Sequence, residues 1–291
     1  MAMPHSASAQ QPARCENCGS PAGWKRAFAS TDDVDRCAAC GGWTFSGHVS
    51  APAEELYDER YFSGGEYAAY DAAHASHEKN FRRKLKLLQR HGAPPASLTR
   101  LLEIGCATGE FLAQAKLAGV GQALGLEVSD YCRAVARDRG HDVLSPTDPA
   151  SDRAVVALRP NVVVAWDVWE HLRSPASIFE TTLQRCDDGV MVALTTVDAS
   201  SAVARLRGTR WRQFHPPTHL HYPTRESFRL WFARLGFDVV HHGSFGYYRP
   251  LAEYLRVVGV RASRAPPPWM TTPIYLDLFD IQLVIAKRIA R

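Results

Sequence analysis

From residue 99 onward, short apolar runs alternate with segments whose apolar residues recur every three or four positions. The recurring pattern is that of a helix with one buried face, and the apolar runs are those of strands. The run 161–167 (NVVVAWD) is apolar almost throughout, as in a central parallel strand covered on both faces. Strands are predicted at 100–104, 121–128, 142–144, 161–167 and 189–195. This alternation predicts a doubly wound α/β sheet.

The regions on either side of this alternation are less regular. Before it, helices are predicted at 54–61 and 74–90, and Pro94-Pro95 marks a boundary. After it, the pattern predicts a His- and Pro-rich loop at 214–223, a helix at 224–235, strands at 237–241 and 281–287, and a helix at 251–258. The chain is therefore expected to hold one large domain and smaller flanking parts.

The composition is that of an ordinary globular protein, with 291 residues, 46% hydrophobic and 22% charged. A net charge of +4 is too small to indicate nucleic-acid binding without a clustered basic stripe. Residues 1–14 contain no apolar stretch of a signal peptide and are expected to be a disordered tail. No apolar run approaches the roughly 18 residues of a membrane span, so a cytoplasmic protein is expected.

Four of the seven cysteines form two pairs, each followed by glycine. The pairs are Cys15-x-x-Cys18 and Cys37-x-x-Cys40. Paired spacing of this kind points to a metal rather than to disulfides, and four thiolates suit a structural Zn²⁺ with no open position for catalysis. About 30 residues are too few for a core of their own, so the metal would supply folding energy. Redox-active or incidental CxxC turns are the alternative.

Between the cysteines and the α/β region, 49–98 is predicted to be a helical linker. Its aromatic residues either form a lid over an active site or tie the cysteine module to the core; they are Tyr57, Tyr61, Phe62, Tyr67 and Tyr70. The basic residues of the 74–90 helix are expected to lie largely on solvated faces, with a phosphate-binding patch as the alternative. The predicted division of the chain is a tail at 1–14, a zinc module at 15–48, the linker at 49–98 and the main domain at 99–291.

A glycine-rich turn follows the first strand of the α/β region, in the sequence LLEIGCATGEFL at 101–112. Gly105 and Gly109 permit positive φ or close approach of a ligand to the backbone. Glu127 ends the second strand and is placed to bind ribose hydroxyls. The acid at Glu103 would repel a pyrophosphate but suits an ammonium or sulfonium. These features indicate S-adenosylmethionine rather than a dinucleotide.

The chain resembles the class I S-adenosylmethionine-dependent methyltransferases over about residues 57–291. Residues 101–112 resemble the first motif of that family, with Ala107 in place of its middle glycine. GLEVSD at 125–130 resembles the second motif, DVWEHLRSP at 167–175 the fourth-strand motif, and FHPPTHLHYPTRESF at 214–228 a stretch that follows the fifth strand. The resemblance implies a Rossmann-like sheet of seven strands in the order 3-2-1-4-5-7-6, with 281–287 as its antiparallel seventh strand.

The resemblance also implies cofactor contacts for individual residues. The residues expected around the methionine part are Glu103, Gly105, Cys106, Ala107 and Gly109. Glu127 is expected at the ribose and Val128 at the adenine, with Asp148 as a candidate for an acid on the adenine side. Trp166 and Asp167 are expected beside the sulfonium.

Histidine is the usual base for an alcohol or phenol acceptor. The candidate catalytic residues are His171, His215, His219, His221 and Glu170. Alternatively, each of these histidines caps a helix or makes a hydrogen bond within a loop and has no catalytic role. The spacing of Asp167, Glu170 and His171 also resembles that of the metal-binding residues in the ubiquinone-pathway O-methyltransferases. A second metal ion bound by these residues is therefore a further hypothesis.

The function predicted from these features is methyl transfer to a small-molecule acceptor, most readily to an oxygen. A four-cysteine module before such a core also resembles the C-methyltransferases of nucleotide-linked sugars, although their additional C-terminal domain is not expected here. An RNA methyltransferase and a non-catalytic cofactor-binding module are further alternatives. The acceptor pocket is expected between the 57–70 aromatics, Trp166, Trp169 and the 214–222 loop, which suggests a flat or amphipathic molecule. The sequence leaves the oligomeric state open.

Overall fold

A computed structural model describes residues 13–21, 23–47, 74–257 and 267–289. Residues 1–12 of the predicted tail (1–14) lie outside this described part, as do the predicted helix at 54–61 and the aromatic residues of 57–70. Within it, no helix is long and apolar enough to cross a membrane.

A seven-stranded sheet forms the centre of the molecule. Its strands are β4 (Arg100–Ile104), β5 (Gln122–Leu126), β6 (Val143–Leu144), β7 (Val162–Trp166), β8 (Met191–Val197), β10 (Phe237–Ser244) and β13 (Ile281–Arg288). They lie in the order β10-β13-β8-β7-β4-β5-β6. Numbered along this sheet alone, the order reads 3-2-1-4-5-7-6. The first five strands are parallel, and β13 runs antiparallel to both β8 and β10.

Helices cover both faces of this sheet. The described helices are α1 (His74–Arg90), α2 (Glu110–Leu117), α3 (Asp130–Asp138), α4 (Pro149–Leu158), α5 (Pro175–Leu183), α6 (Ala202–Arg207), α7 (Arg225–Arg234), α8 (Leu251–Val257) and α9 (Pro268–Thr271). Every residue of β7 and β8 is buried, because the sheet is covered on both sides. Two hydrophobic clusters result, one on each face.

A second sheet joins the cysteine region to the main domain. It contains β1 (Trp24–Phe28), β2 (Thr31–Cys37), β3 (Trp43–Phe45) and β9 (His221–Tyr222), in that order. The stretch 214–223 was expected to be a loop throughout, yet its last residues pair with β3, so Thr44 lies opposite His221. Backbone hydrogen bonds therefore cross the predicted boundaries of the 15–48 module.

A small hairpin-like sheet completes the described fold. Its strands are β11 (Tyr247–Pro250) and β12 (Pro273–Leu276), which pair antiparallel. Asn80 of α1 holds this sheet through its side-chain amide, which donates to the carbonyl of Tyr248 at 3.0 Å and accepts from the N–H of Tyr248 at 2.7 Å. The hydroxyl of Tyr247 on β11 contacts Asp167 after β7 and Thr195 on β8, so β11 lies beside the candidate site at the carboxyl ends of these strands.

Candidate active site

The glycine-rich turn leaves β4 in a conformation that favours glycine. Gly105 has φ +70, and a Cβ there would lie 2.6 Å from a methyl group of Val168. Ala107 has φ +45 and Gly109 has φ +85. A left-handed conformation costs a residue with a Cβ about 1–2 kcal/mol, so Ala107 is strained where the motif usually has glycine. All three of these turn residues therefore have positive φ, and only the middle one carries a Cβ.

Glu127 joins the end of β5 to this turn. Its Oε2 accepts a hydrogen bond from the N–H of Ala107 at 2.9 Å, and its Oε1 accepts from the N–H of Ser129 at 2.9 Å. Burial raises the pKa of Glu127, whereas these two hydrogen bonds act in the opposite direction. Each carboxylate oxygen keeps a second lone pair that can accept a hydroxyl hydrogen of a ribose.

Two buried polar atoms beside the turn have no hydrogen-bond partner among the described residues. They are Oε2 of Glu103, at the end of β4, and the indole Nε1 of Trp166, at the end of β7. Burial raises the pKa of Glu103 well above its usual value, and the nearby ammonium of Lys84 opposes this shift. Since buried polar groups are normally paired, unpaired ones at a strand edge indicate the place of a polar ligand. The amino-acid part of S-adenosylmethionine offers groups that suit both atoms. Its ammonium can donate to Oε2 of Glu103, and its carboxylate can accept from Nε1 of Trp166.

The residue after Trp166 is in an unusual conformation at the centre of the site. Asp167 has φ +58, which is rare for a residue with a Cβ and is often found at functional sites. The phenolic hydroxyl of Tyr247 lies 2.6 Å from Oδ2 and 2.8 Å from Oδ1 of Asp167. The ammonium of Lys84 lies 4.0 Å from Oδ2.

Lys84 and Tyr247 are site residues that the sequence did not predict. Lys84 was grouped with basic residues on solvated faces, but its side chain is only 1% exposed. It precedes the buried Leu88 by four positions, and this helical spacing does place both on the inner face of α1. Tyr247 lies on a strand that the pattern did not predict, and no sequence feature distinguishes it from neighbouring Tyr248.

Three histidines lie together after β7 and in the 214–222 loop. The rings of His171 and His219 are 4.6 Å apart, and those of His215 and His219 are 3.7 Å apart. Nδ1 of His171 lies 2.9 Å from the carbonyl oxygen of Thr218, and Nδ1 of His219 lies 2.9 Å from that of Gln213. A carbonyl oxygen only accepts hydrogen bonds, so both Nδ1 atoms carry the proton and Nε2 is the basic nitrogen in the neutral rings.

Burial keeps the rings of His171 and His219 neutral. It lowers the pKa of His171 to about 4 and that of His219 well below its usual value, although the hydrogen bonds to Thr218 and Gln213 oppose the shift. Burial raises the pKa of Glu170 to about 8, and the carboxylate of Asp167 adds to this effect. Oε2 of Glu170 accepts from the hydroxyl of Thr196 at 2.7 Å. Neutral imidazoles at pH 7 can accept a proton.

His221 has a different environment from the other three histidines. Its Nε2 donates to the carbonyl oxygen of Arg173 at 3.1 Å, and its Nδ1 lies 3.3 Å from the hydroxyl of Thr44 on β3. Burial lowers its pKa to about 4. Both ring nitrogens thus take part in contacts that hold the small sheet to the main domain.

Glu170, His171 and His219 also offer ligand atoms for a metal ion, all within 4.8 Å of one another. The metal hypothesis from the sequence named Asp167 in place of His219. In this structure Asp167 instead accepts hydrogen bonds from Tyr247.

The remaining predicted cofactor residues lie around the turn or at the adjacent strand ends. Cys106 is buried, and Val128 is half-buried with its carbonyl accepting from Arg133 at 2.6 Å. Asp148 is exposed and caps α4, since its Oδ1 accepts from the N–H of Ala150 at 2.7 Å. Its carboxylate therefore has a structural role in this fold.

The four paired cysteines converge on one buried point. The Sγ atoms of Cys15 and Cys40 are 3.9 Å apart, and those of Cys18 and Cys37 are 4.0 Å apart. All four sulfurs lie within 4.8 Å of one another. Sulfurs bonded at about 2.3 Å to one tetrahedral ion stand roughly 3.8 Å apart, so this geometry fits Zn²⁺.

The cysteine cluster is packed directly against the candidate active site. The buried side chain of Asn17 donates to the carbonyl of Trp43 at 3.0 Å and accepts from the indole N–H of Trp169 at 3.4 Å. Trp169 belongs to the 3₁₀ turn Trp169–His171, next to the candidate base. On the other side, the hydroxyl of Thr224 donates to the carbonyl of Cys40 at 2.7 Å.

The fold and this strand-edge site define a class of enzyme, the methyltransferases with a Rossmann-like sheet. The family model described as a methyltransferase domain matches residues 59–242. This match covers more than half of the chain, so the chain belongs to that family. None of the curated proteins matches the sequence.

Solved structures agree with this assignment at the level of the fold. A SAM-dependent methyltransferase from Archaeoglobus fulgidus is 18% identical, with a TM-score of 0.50 over 81% of this chain and 100% of its own. The YcgJ protein from Bacillus subtilis is 12% identical, with a TM-score of 0.50 over 71% of this chain and 98% of its own. Family, fold and glycine-rich turn together identify an S-adenosylmethionine-dependent methyltransferase.

Proposed function

We propose that this enzyme methylates an oxygen atom of a small-molecule acceptor, with His171 as the general base. The observation that carries the proposal is the hydrogen bond from Nδ1 of His171 to the carbonyl of Thr218, which makes Nε2 the basic nitrogen. His171 follows Asp167 by four residues, at the edge of the sheet where substrates bind in open α/β folds. His219 packs edge-on against its ring.

The cofactor, when bound, supplies an electrophilic methyl group. We assign Glu103, Gly105, Cys106, Ala107 and Gly109 to its methionine part, and Trp166 and Asp167 to the surroundings of the sulfonium. Glu127 is assigned to the ribose and Val128 to the adenine. The protein's task is then to hold the acceptor oxygen in line with the methyl group, to exclude water and to take the acceptor's proton at Nε2 of His171.

The four-cysteine cluster is proposed to hold a structural Zn²⁺ through Cys15, Cys18, Cys37 and Cys40. Its packing on Trp169 and its sheet pairing with β9 support a role in shaping the acceptor side of the site. Four thiolates leave no coordination position for a substrate.

The test is an activity screen with S-adenosylmethionine and a panel of phenols and sugar alcohols, in which S-adenosylhomocysteine release is measured by mass spectrometry. NMR of the product then identifies the methylated atom. For an active acceptor, His171→Asn keeps a side-chain donor for Thr218 but removes the base, so we expect turnover to fall by about 10²–10⁴-fold. His91→Asn, outside the site, is the control.

Four outcomes would count against the proposal. Unchanged turnover in His171→Asn would remove the base assignment. A methyl group on carbon would favour the nucleotide-sugar alternative, and methylation of RNA alone would remove the small-molecule acceptor. Turnover that is lost with a chelator and restored by one divalent metal, at unchanged zinc content, would favour a metal at Glu170, His171 and His219 instead.

A further inference from the structure

The inner face of α1 carries polar residues at its amino-terminal end, where an amphipathic helix would present apolar ones. Ser76, Asn80 and Lys84 are each more than nine-tenths buried and follow one another at intervals of four. Asn80 holds β11 through two hydrogen bonds to Tyr248. Lys84 lies one turn further along the helix, where its ammonium enters the cofactor region.

The surroundings of this ammonium are aromatic. Nζ of Lys84 lies 4.6 Å from the ring centroid of Trp166 and between 5.3 and 5.4 Å from those of Phe81, Tyr247 and Phe245. Cation–π contacts stabilise a charge but do not replace the hydrogen bonds that an ammonium makes in water. Among the described residues, the nearest carboxylate oxygen is that of Asp167, at 4.0 Å. The three N–H donors of Lys84 thus lack an acceptor at hydrogen-bond distance within the described part of the chain.

Lys84 is nevertheless a cation at neutral pH. Burial lowers its pKa to about 8, and the carboxylates of Asp167, Glu103 and Glu170 limit the shift. The same attraction opposes the rise that burial causes in the pKa of Glu103, so the two groups influence each other. They do not form an ion pair together, since the ion pair of Lys84 is with Asp167. A buried ammonium and a buried carboxyl group therefore face the same ligand region without direct contact.

The unpaired atoms around this region have complementary chemistry. The indole N–H of Trp166 is a donor without an acceptor, and Oε2 of Glu103 is an acceptor without a donor. A ligand that satisfies all three groups needs an anion for Lys84 and Trp166 and a cation for Glu103. An α-amino acid in its zwitterionic form has this combination.

We infer that Lys84, with the indole N–H of Trp166, binds the α-carboxylate of the methionine part of S-adenosylmethionine, while Glu103 receives its ammonium. This inference rests on the proposed cofactor site and adds to it a residue from outside the glycine-rich turn. It also gives a role to a buried ammonium that has no hydrogen-bond acceptor among the described residues. Helix α1 then acts as one wall of the cofactor site.

Binding measurements by calorimetry test the assignment without any acceptor. The probes are S-adenosylhomocysteine and its decarboxylated analogue, S-adenosyl-3-thiopropylamine, which keeps the ammonium and lacks the carboxylate. The wild-type protein is expected to bind S-adenosylhomocysteine more tightly by about 10- to 100-fold, as for hydrogen bonds to charged groups. Lys84→Met keeps the apolar stem and should lose this preference, with affinity for the decarboxylated analogue nearly unchanged.

Two further variants sharpen the comparison. Lys86→Met makes the same substitution on the exposed side of α1 and should keep the wild-type preference. Trp166→Phe removes only the indole N–H and a small part of the ring, and should reduce the preference several-fold. If Lys84→Met fails to fold, Lys84→Gln, which keeps a polar side chain but has no charge, takes its place and should also lose the preference for the carboxylate.

The role of Lys84 would be overturned if Lys84→Met lost the same factor of affinity for both probes, or if the wild type showed no preference for the probe with the carboxylate. Either result would leave the proposed cofactor site in place. Absence of binding of either probe to the wild type would instead remove the proposed cofactor site, and the assignment of Lys84 with it. The two failures are therefore distinguishable.

Discussion

The phenolic hydroxyl of Tyr247 donates to the carboxylate of Asp167, at 2.6 Å from one oxygen and 2.8 Å from the other. This contact connects β11 to the strained residue that follows β7. Burial and the neighbouring carboxylate raise the pKa of Tyr247 well above its usual value, so the hydroxyl stays protonated and remains a donor. Asp167 is thus held in position by a residue 80 positions away in the chain.

Removal of this hydroxyl should be measurable in the stability of the protein. Tyr247→Phe is expected to lower the free energy of unfolding by about 1.5–3 kcal/mol, the usual loss for a hydrogen bond to a charged group. Tyr248→Phe, on the same strand, is the matched control and should change it by less than about 0.5 kcal/mol. Urea denaturation measures both. Equal effects of the two substitutions would show that the hydroxyl contact with Asp167 has no special energetic role.

The alternation of apolar and amphipathic segments predicted the central parallel strands and most of their helices because these elements are long and buried on both faces. The structure has strands at Arg100–Ile104 and Val162–Trp166 where the pattern predicted them. The family motifs also predicted the glycine-rich turn. The observed φ values of Gly105 and Gly109 are positive, which favours glycine at both positions.

The small strands and the long-range contacts were not predictable in the same way. Strand β9 has two residues, and its pairing with β3 depends on a chain segment almost 180 residues away. The sequence shows that Lys84 shares a helix face with Leu88, but not that this face meets Trp166. Nor does it show that the His221 ring is bound by Thr44, since that contact exists only after the cysteine region packs on the main domain.

The cysteine cluster predicts one zinc ion per chain. Metal analysis of the purified protein should find a zinc stoichiometry of one, and Cys37→Ser should reduce it severely and lower the melting temperature. Cys186→Ser is the control, because Cys186 is buried elsewhere, with its Sγ 3.3 Å from the carbonyl of Thr182. Zinc-free wild-type protein with unchanged melting temperature would contradict the assignment.

The neutral ring of His221 predicts a loss of stability in mild acid. Its folded pKa of about 4 lies below the value of about 6.5 expected in the unfolded chain, so the unfolded state binds more protons as the pH falls below 6.5. Stability linked to this group is therefore present above pH 6.5 and is lost toward pH 4. Between pH 7.5 and pH 5 the loss should be about 2 kcal/mol.

Other groups also titrate in this range, and acid weakens thiolate binding to zinc, so the comparison needs a variant. In His221→Gln, which is uncharged throughout, the fall in unfolding free energy between pH 7.5 and pH 5 should be smaller than in the wild type by about 2 kcal/mol. Parallel pH profiles for the two proteins would mean that His221 is not the buried neutral ring described above.

The most direct test of the cofactor site is calorimetric titration with S-adenosylhomocysteine. Wild-type protein is expected to bind one equivalent, and Glu127→Gln should weaken binding by about 1–3 kcal/mol, because the amide replaces one charged acceptor at the ribose and disturbs the bond to the N–H of Ala107. No binding to the wild-type protein, or equal affinity in Glu127→Gln, would contradict the account.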